Sequence, residues 1–313
     1  VLEQQGRAEL QAAILTRISD VYTTYFDLVQ QQQVLASIDT AIVISNQRLT
    51  TAQNRFRIGK ASKLEVLNAQ VDLNSDLSLQ LRQKEFIKIS KIRLNELLVR
   101  DIQTDFKVAN EVTLEQNLDF NELKSTAEKQ NPQLQAQILS KKVADLNLKQ
   151  VKGNRYPTVR VTSGYNFTRS EASLGFITQS SGQGFVYGVT ATVPIFNGFL
   201  QNRNEKVAKY QVENASFLLE QQKLSLTSQL SSLFASYQTN LELVKVEEKN
   251  LEIAKQNLDI TLAKFKIGTI TTIEFRTAQQ NFVEASVRYS NAQYVTKLSE
   301  INLKELAGTL KLN

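Results

Sequence analysis

FRIGKASKLEV at 56–66 and FKIGTITTIEF at 265–275 fall on one another without a gap at an offset of 209 (265 − 56). The match runs well past this stretch. At the same offset Leu49/Leu258, Ala69/Ala278, Gln70/Gln279, Leu94/Leu303, Glu96/Glu305 and Leu97/Leu306 are also identical. An internal repeat of this size sets the architecture before any local reading. Because nothing is inserted or deleted between the copies, length itself is under constraint, as it is when long rods must stay in register.

The next pattern identifies the rods. Leu230, Tyr237, Val244, Leu251, Leu258 and Phe265 recur every seven residues, and their counterparts are Val21, Leu28, Leu35, Ile42, Leu49 and Phe56. Every one of these positions is apolar, which predicts helices that supercoil left-handedly against neighbours. The companion positions four residues on are mixed: Phe234, Leu241 and Leu262 are apolar, whereas Gln32, Asp39, Asn46, Glu248 and Lys255 are not. A half-polar seam of this kind fits a helix with one side on other helices and another on water.

Composition narrows the chemistry. The 313 residues contain no Cys, His, Met or Trp, and the apolar fraction is 42%. Without Cys or His the common zinc, haem and thiolate sites cannot be built, nor the usual nucleophile–imidazole pairs. No Gly-rich phosphate loop or paired catalytic carboxylates stand out, so neither an enzyme nor a cofactor is expected. The net charge of +6 is dispersed among Glu, Asp and Gln along the helices; it lacks the basic run that tracks phosphates, and nucleic acid is not an expected partner. No segment approaches the ~18 uninterrupted apolar residues of a membrane helix.

Along the chain, residues 1–98 read as two helices broken at Gly59, the first to about 57 and the second from about 62. Residues 99–120 lose the heptad and read as a linker with a short strand around Phe106–Val108. Residues 121–153 read as a further helix, with a start or break at Asn131-Pro132. Residues 154–198 differ in kind. Val159, Val161, Ser163, Tyr165 and Phe167 alternate with Arg160, Thr162, Gly164 and Asn166, and Phe185, Tyr187, Val189, Ala191 and Val193 alternate with Gly188, Thr190 and Thr192. Strict period two in two stretches of about ten residues, joined by a Gly- and Ser-rich loop at 170–184, predicts a hairpin. Residues 199–313 return to helix, from Leu200 to about Lys266, turn at Gly268, and run back from Thr272 to about Leu310. At 1.5 Å per residue the first of these is roughly 100 Å long.

Strands of this length with an apolar, aromatic-bearing face fit a transmembrane barrel. Two strands cannot close a barrel, and open edges are not tolerated in lipid, so the missing strands must come from elsewhere, some from the other repeat and the rest from partner subunits. By the symmetry of the repeat a helix and a hairpin, roughly 80–90 residues, are expected before Val1.

Taken in order, FRIGKASKLEVLNAQ (56–70), NPQLQAQ (131–137), YPTV (156–159), VPIFNGF (193–199) and FKIGTITTIEFRTAQ (265–279) resemble the motifs of the TolC-like outer-membrane efflux proteins. The resemblance implies a mainly α fold with a β-hairpin, in which long antiparallel coiled-coil helices form a trimeric α-barrel tunnel beneath transmembrane β-barrel strands, the first of two repeats being short at its N-terminus. It further implies a homotrimer in the outer membrane of a Gram-negative bacterium with a large periplasmic part, in contact with outer-membrane lipid, a periplasmic adaptor (membrane fusion) protein and an inner-membrane pump. The function implied is a passive exit duct for efflux or type I secretion.

Within that frame Glu65 and Glu274 are expected at the periplasmic entrance, with Phe265, Arg276 and Thr277 beside them; rings of acids favour cations in pores. Phe265, Ile270 and Thr277 depart from the family's common tyrosine, arginine and acid, so a closing network would have to use groups such as Arg57, Lys60, Lys63 or Arg276. The turns Arg57, Ile58, Gly59, Lys60 and Lys266, Ile267, Gly268, Thr269 are the expected adaptor contacts. Val159, Val161, Tyr165, Phe167, Phe185, Tyr187, Val189 and Val193 are the expected lipid-facing residues. Two rival readings, a secreted flagellin-like coiled-coil protein and a periplasmic adaptor, account for the polar heptads but not for the repeat and the hairpin together.

Overall fold

The computed structural model describes residues 1–171 and 179–311. Most of the loop joining the two strands, 172–178, therefore lies outside the described residues. Among the described residues six helices and two strands follow in the order α1 (Leu2–Arg57), α2 (Lys63–Leu97), α3 (Phe120–Gln130), α4 (Pro132–Gly153), β1 (Thr158–Glu171), β2 (Gln179–Thr192), α5 (Leu200–Ile267) and α6 (Thr272–Ala307). No helix among the described residues is long and apolar enough to cross a membrane. The chain divides into two units: Val1–Gln5 with Ala136–Gln221, and Gly6–Gln135 with Gln222–Asn313.

The first unit carries the hairpin. β1 and β2 pair antiparallel over their whole length, from Thr158 opposite Thr192 to Glu171 opposite Gln179. Each strand has 14 residues, longer than the ten that alternation alone marks. The extra residues near the loop, such as Thr168, Arg169 and Ser170 opposite Gly182, Ser181 and Ser180, keep the ladder although their composition hides the period. Val193 falls just beyond β2. Nearby, Arg155 of the turn after α4 pairs with Glu205 and donates to Asn202 at 2.7 Å, and Gln201 donates to the Val151 carbonyl at 2.6 Å. These contacts tie the start of α5 to the end of α4.

The second unit is two helical hairpins, α1/α2 and the later part of α5 with α6. In the second repeat the heptad is largely buried: Leu230, Tyr237, Val244, Leu258 and Phe265 are buried, and Leu251 is half-buried. In the first repeat only Leu28 is fully buried and Phe56 is exposed. The half-polar seam is made of side-chain hydrogen bonds between α1 and α2. Gln83 donates to Gln31 Oε1 at 2.6 Å, Ser90 to Asp27 at 2.7 Å, and Gln80 to Asp39 at 2.6 Å.

Residues 99–119 form no strand, contrary to the expectation at Phe106–Val108. The segment is instead pinned through side chains. Asn95, fully buried, donates to the Ile102 and Thr104 carbonyls at 3.0 and 2.9 Å. The Phe106 ring takes the Arg100 guanidinium at 4.6 Å and the Lys91 ammonium at 5.6 Å, contacts that supply cation–π attraction where a ladder would need a partner strand.

Pro132 breaks the helix between α3 and α4, and the break is welded to the end of α6. Asn131 sits in extended backbone (φ −61°, ψ 117°), as the residue before proline prefers. Its side chain accepts the Leu134 N–H at 2.8 Å and donates to the Leu306 carbonyl at 2.9 Å. Gly308 ends α6 in left-handed backbone (φ 73°), with the Gln130 carbonyl 2.6 Å from where a Cβ would stand. This cap stops α6 at Ala307, three residues before the expected Leu310.

Candidate functional site: the helix turns and the charged joint above them

The two turns are the same object built twice. Gly59 and Gly268 take φ of 73° and 80°, a conformation glycine adopts without the Cβ penalty. In each, the glycine N–H bonds the carbonyl three residues back (Phe56 and Phe265, both 3.0 Å), and the next N–H bonds the carbonyl five back (Arg55 at 2.8 Å, Lys264 at 3.1 Å). That pair of bonds is a Schellman cap. The following helices start alike too: Ser62 and Thr271 share φ −80°, ψ 158° and accept the N–H of Glu65 and Glu274. The turns are neighbours, for Arg55 approaches within 3.9 Å of the Cβ position of Gly268.

The two acids, equivalent by repeat, do different work. Glu274 closes a capping box: its carboxylate accepts the Thr271 N–H at 2.8 Å and the Thr271 hydroxyl at 3.1 Å. The backbone bond first, and the hydroxyl second, hold its pKa below the ordinary carboxylate value. It is thus a fixed anion at a helix N-terminus, where the dipole also favours it. Glu65 faces the Arg55 guanidinium at 3.8 Å. Lys63 lies 5.6 Å over the exposed Phe56 ring, while Phe265 is buried and stacks on Phe275 at 5.0 Å in a cluster with Leu258. Thr277 returns its hydroxyl to the Ile273 carbonyl at 3.1 Å. Ile58 and Ile267 stand exposed at the two turns.

Arg276 does not reach either acid. It clamps Asp76 with two bonds of 3.0 Å and lies 3.7 Å from Asp72. Around this core Arg48 donates to Asp72, Ser45 donates to Asp76 at 2.6 Å, and Gln279 donates to the Ala41 carbonyl and Ser45 at 2.8 Å. Arg48 is 2% exposed and Asp76 is 5% exposed. Two guanidiniums and two carboxylates therefore form a charge-balanced joint, buried at Arg48 and Asp76 and half-buried at Asp72 and Arg276, that links α1, α2 and α6, and so the two hairpins. Sequence reasoning missed it. The one available signal was a disagreement inside the repeat, since Arg48, Asp72, Asp76 and Arg276 stand opposite Asn257, Asn281, Ala285 and Leu67.

A second polar cluster lies far along α6. Buried Glu300 accepts from Lys297 at 2.8 Å, Lys304 at 2.9 Å and the Glu115 N–H at 3.2 Å. Burial pushes its carboxyl up, but the two ammonium groups outweigh this and leave the pKa lowered. Among the described residues no group of carboxylates is arranged to hold a metal ion.

The hairpin in the first unit sorts by face. Val159, Val161, Tyr165 and Phe167 share one side with Ala191, Val189, Tyr187 and Phe185, because Val161 pairs with Val189, Ser163 with Tyr187, and Tyr165 with Phe185. Tyr165 meets Phe185 edge-on at 4.7 Å. Val159, Val161, Tyr165, Phe167, Phe185, Tyr187, Val189 and Val193 are all exposed. The opposite face carries Arg160, Thr162 and Asn166 against Thr190, Gly188 and Gly184. A continuous exposed apolar band backed by a small polar face is what a lipid-facing strand pair presents.

Comparisons with known proteins agree in direction. The family described as Outer membrane efflux protein matches residues 123–309. Outer membrane protein TolC of Escherichia coli (strain K12) is 23% identical over 94% of this chain and 62% of its own length. The protein of that name from Vibrio cholerae serotype O1 is 24% identical over 97% of this chain and 69% of its own. The chain thus spans about 62% of the length of the first of these relatives. In fold it is similar to the Campylobacter jejuni CmeC outer membrane channel, with a TM-score of 0.78 at 16% identity, covering 98% of this chain and 65% of the other.

Proposed function

Since the chain belongs to the outer membrane efflux protein family and is an outer-membrane protein, we propose that it forms the exit duct of a tripartite efflux or type I secretion system. In this reading the hairpin joins strands from other copies in a closed barrel, the helices make the periplasmic tunnel of a homotrimer, and the duct is passive. The observation that carries it is the exposed aliphatic and aromatic band on one face of a fully registered hairpin, which water does not favour and lipid does.

The helix turns are the entrance in this proposal. Glu274, an anion fixed by its cap, and Glu65 supply rings of carboxylates, and Arg57–Lys60 with Lys266–Thr269 are the surface offered to a periplasmic adaptor, itself docked on an inner-membrane pump. Phe265 and Thr277 back the entrance, and Arg276 stiffens it from the charged joint.

The test is reconstitution in a planar bilayer. Discrete single-channel conductance with cation preference is expected, reduced in preference by Glu274→Ala more than by Glu65→Ala. Extraction without detergent and no conductance would remove the duct reading; unchanged preference in both variants would remove the entrance role alone. Cysteines at Lys60 and Thr269 should crosslink to an adaptor in cells, and labelling only at the hairpin end would reverse the orientation.

A further inference from the structure

The repeat places a cavity at the end of each helical hairpin, and the two cavities differ in charge. One, of about 420 Å³, lies at the end of α6 and is lined by Lys297, Glu300, Ile301 and Lys311 among others. The second, of about 600 Å³, lies between the end of α2 and the linker that follows it. Lys88, Lys91, Ile92 and Ile102 line it, with Lys84 and Ile87 beside them. At the offset of 209 these residues fall on one another as Lys88/Lys297, Lys91/Glu300, Ile92/Ile301 and Ile102/Lys311.

In the α6 cavity the protein supplies its own anion. Glu300 accepts from Lys297 at 2.8 Å and from Lys304 at 2.9 Å. In the α2 cavity the place of Glu300 is taken by Lys91, so that internal anion is replaced by a further cation. Lys91 itself pairs with Asp105 of the linker at 2.5 Å. Lys84 and Lys88, both exposed, have no acid partner among the described residues. They stand four apart on one helix face, where like charges repel and weaken the helix. With three lysines against one aspartate, the cavity carries an excess of two positive charges.

The rest of its lining is the opposite in character. Ile92 and Ile102 are 38% and 53% exposed, and Ile102 stands where the α6 cavity has Lys311. Covering the isoleucines gains apolar burial, and a negative group on the lysines gains charge-assisted hydrogen bonds. An inorganic anion satisfies only the second demand, and a neutral hydrocarbon only the first. The volume is in the range of small-molecule sites.

We infer that the cavity between α2 and the linker binds an amphipathic organic anion, its carboxylate, sulfonate or phosphate head on Lys84 and Lys88 and its apolar body on Ile92 and Ile102. The site is built from one helix and the segment after it, and it stands or falls independently of the duct and its entrance.

The sequence has no tryptophan, so Gln103→Trp, an exposed position lining the cavity, supplies a fluorescent reporter with the unsubstituted protein as blank. The probe is ω-bromodecanoate, whose bromine quenches an indole on contact, added to the purified full-length protein in nanodiscs of zwitterionic lipid. Quenching is expected to saturate, and the uncharged ω-bromodecanol is expected to quench more weakly. Adding Lys84→Gln and Lys88→Gln should raise the half-saturating concentration about tenfold or more, the scale of one charge-assisted hydrogen bond. Lys84→Glu with Lys88→Glu should turn the preference to ω-bromodecylammonium, a reversal that a merely structural role of the lysines would not produce. A second arm uses nanodiscs containing phosphatidylglycerol with brominated chains and no added carboxylate. Saturable quenching in either arm supports the site, the first naming a free amphiphile and the second a membrane lipid as the source of the anion. Quenching absent or unsaturable in both arms overturns the inference, as does equal quenching by acid and alcohol that survives the glutamine substitutions.

Discussion

Replacing Asp76 by alanine removes the centre of the charged joint and leaves its cations behind. In the parent, Asp76 accepts from Ser45 at 2.6 Å and twice from Arg276 at 3.0 Å. The two side chains of the ion pair are 7% and 17% exposed. Removing one member of a buried pair costs ~3–5 kcal/mol because the other is left uncompensated. Arg276 keeps Asp72 at 3.7 Å and retains some access to water, so the lower end, ~3 kcal/mol, applies. The cost is local to α2 and α6 and is read by amide hydrogen exchange. At ~1.36 kcal/mol per decade, protection of amides near residues 70–80 and 275–283 should fall roughly 160-fold. Adding Arg276→Leu installs the leucine–alanine combination that Leu67 and Ala285 already supply in the other repeat. Replacing a buried pair by apolar groups is often close to neutral, so the double variant should recover most of the loss. Protection in Asp76→Ala within about threefold of the parent, or a double variant whose loss is the sum of the singles, would refute the reasoning.

Two further predictions follow from single positions. Gly308→Ala should destabilise the end of α6 more than Gly59→Ala destabilises its turn. Both glycines have φ of 73°, costing alanine ~1–2 kcal/mol, but only at Gly308 would the methyl meet a backbone carbonyl at 2.6 Å; equal losses of exchange protection would count against the weld at Asn131. Glu300→Gln should lower thermal stability at neutral pH by an amount worth ~2 kcal/mol, the scale of a charge-assisted bond. Because the folded pKa of Glu300 is lowered from the ordinary carboxylate value, its contribution is present above the unfolded value and fades as pH falls through the folded one. Parent and variant melting temperatures should therefore converge in acid, and a gap that persists or widens there would reverse the assignment.

Much of this molecule can be read from residues alone because its signals are periodic. Seven-residue spacing marks Leu230 to Phe265, two-residue spacing marks Val159 to Phe167, and Gly59 and Gly268 punctuate the helices they end. Where chemistry breaks the period, the reading shortens or fails. Ser170, Ser180 and Gly182 hide strand that the ladder extends through, and Phe106–Val108 looks like strand but is held by cations and by Asn95. The charged joint is invisible for another reason. Arg48, Asp72, Asp76 and Arg276 are scattered charges until α1, α2 and α6 are packed, and Arg276 sits so near Glu274 in sequence that proximity along the chain misdirects the choice of partner. Glu65 and Glu274 are legible as a pair through the repeat, but only the structure distinguishes Glu274, held by Thr271, from Glu65, held by Arg55.

The twin Schellman turns also restrict how this protein can change size. Gly59 and Gly268 terminate helices whose last turns lie side by side, with Arg55 beside Gly268. One added residue in α1 alone would rotate its apolar stripe by about 100° and raise its turn by about 1.5 Å, ruining both cap and neighbour. Elongation can survive only as whole heptads entered on the descending and returning arms of both hairpins together, so relatives with longer or shorter helical hairpins should differ by coordinated fourfold insertions, never by a lone indel.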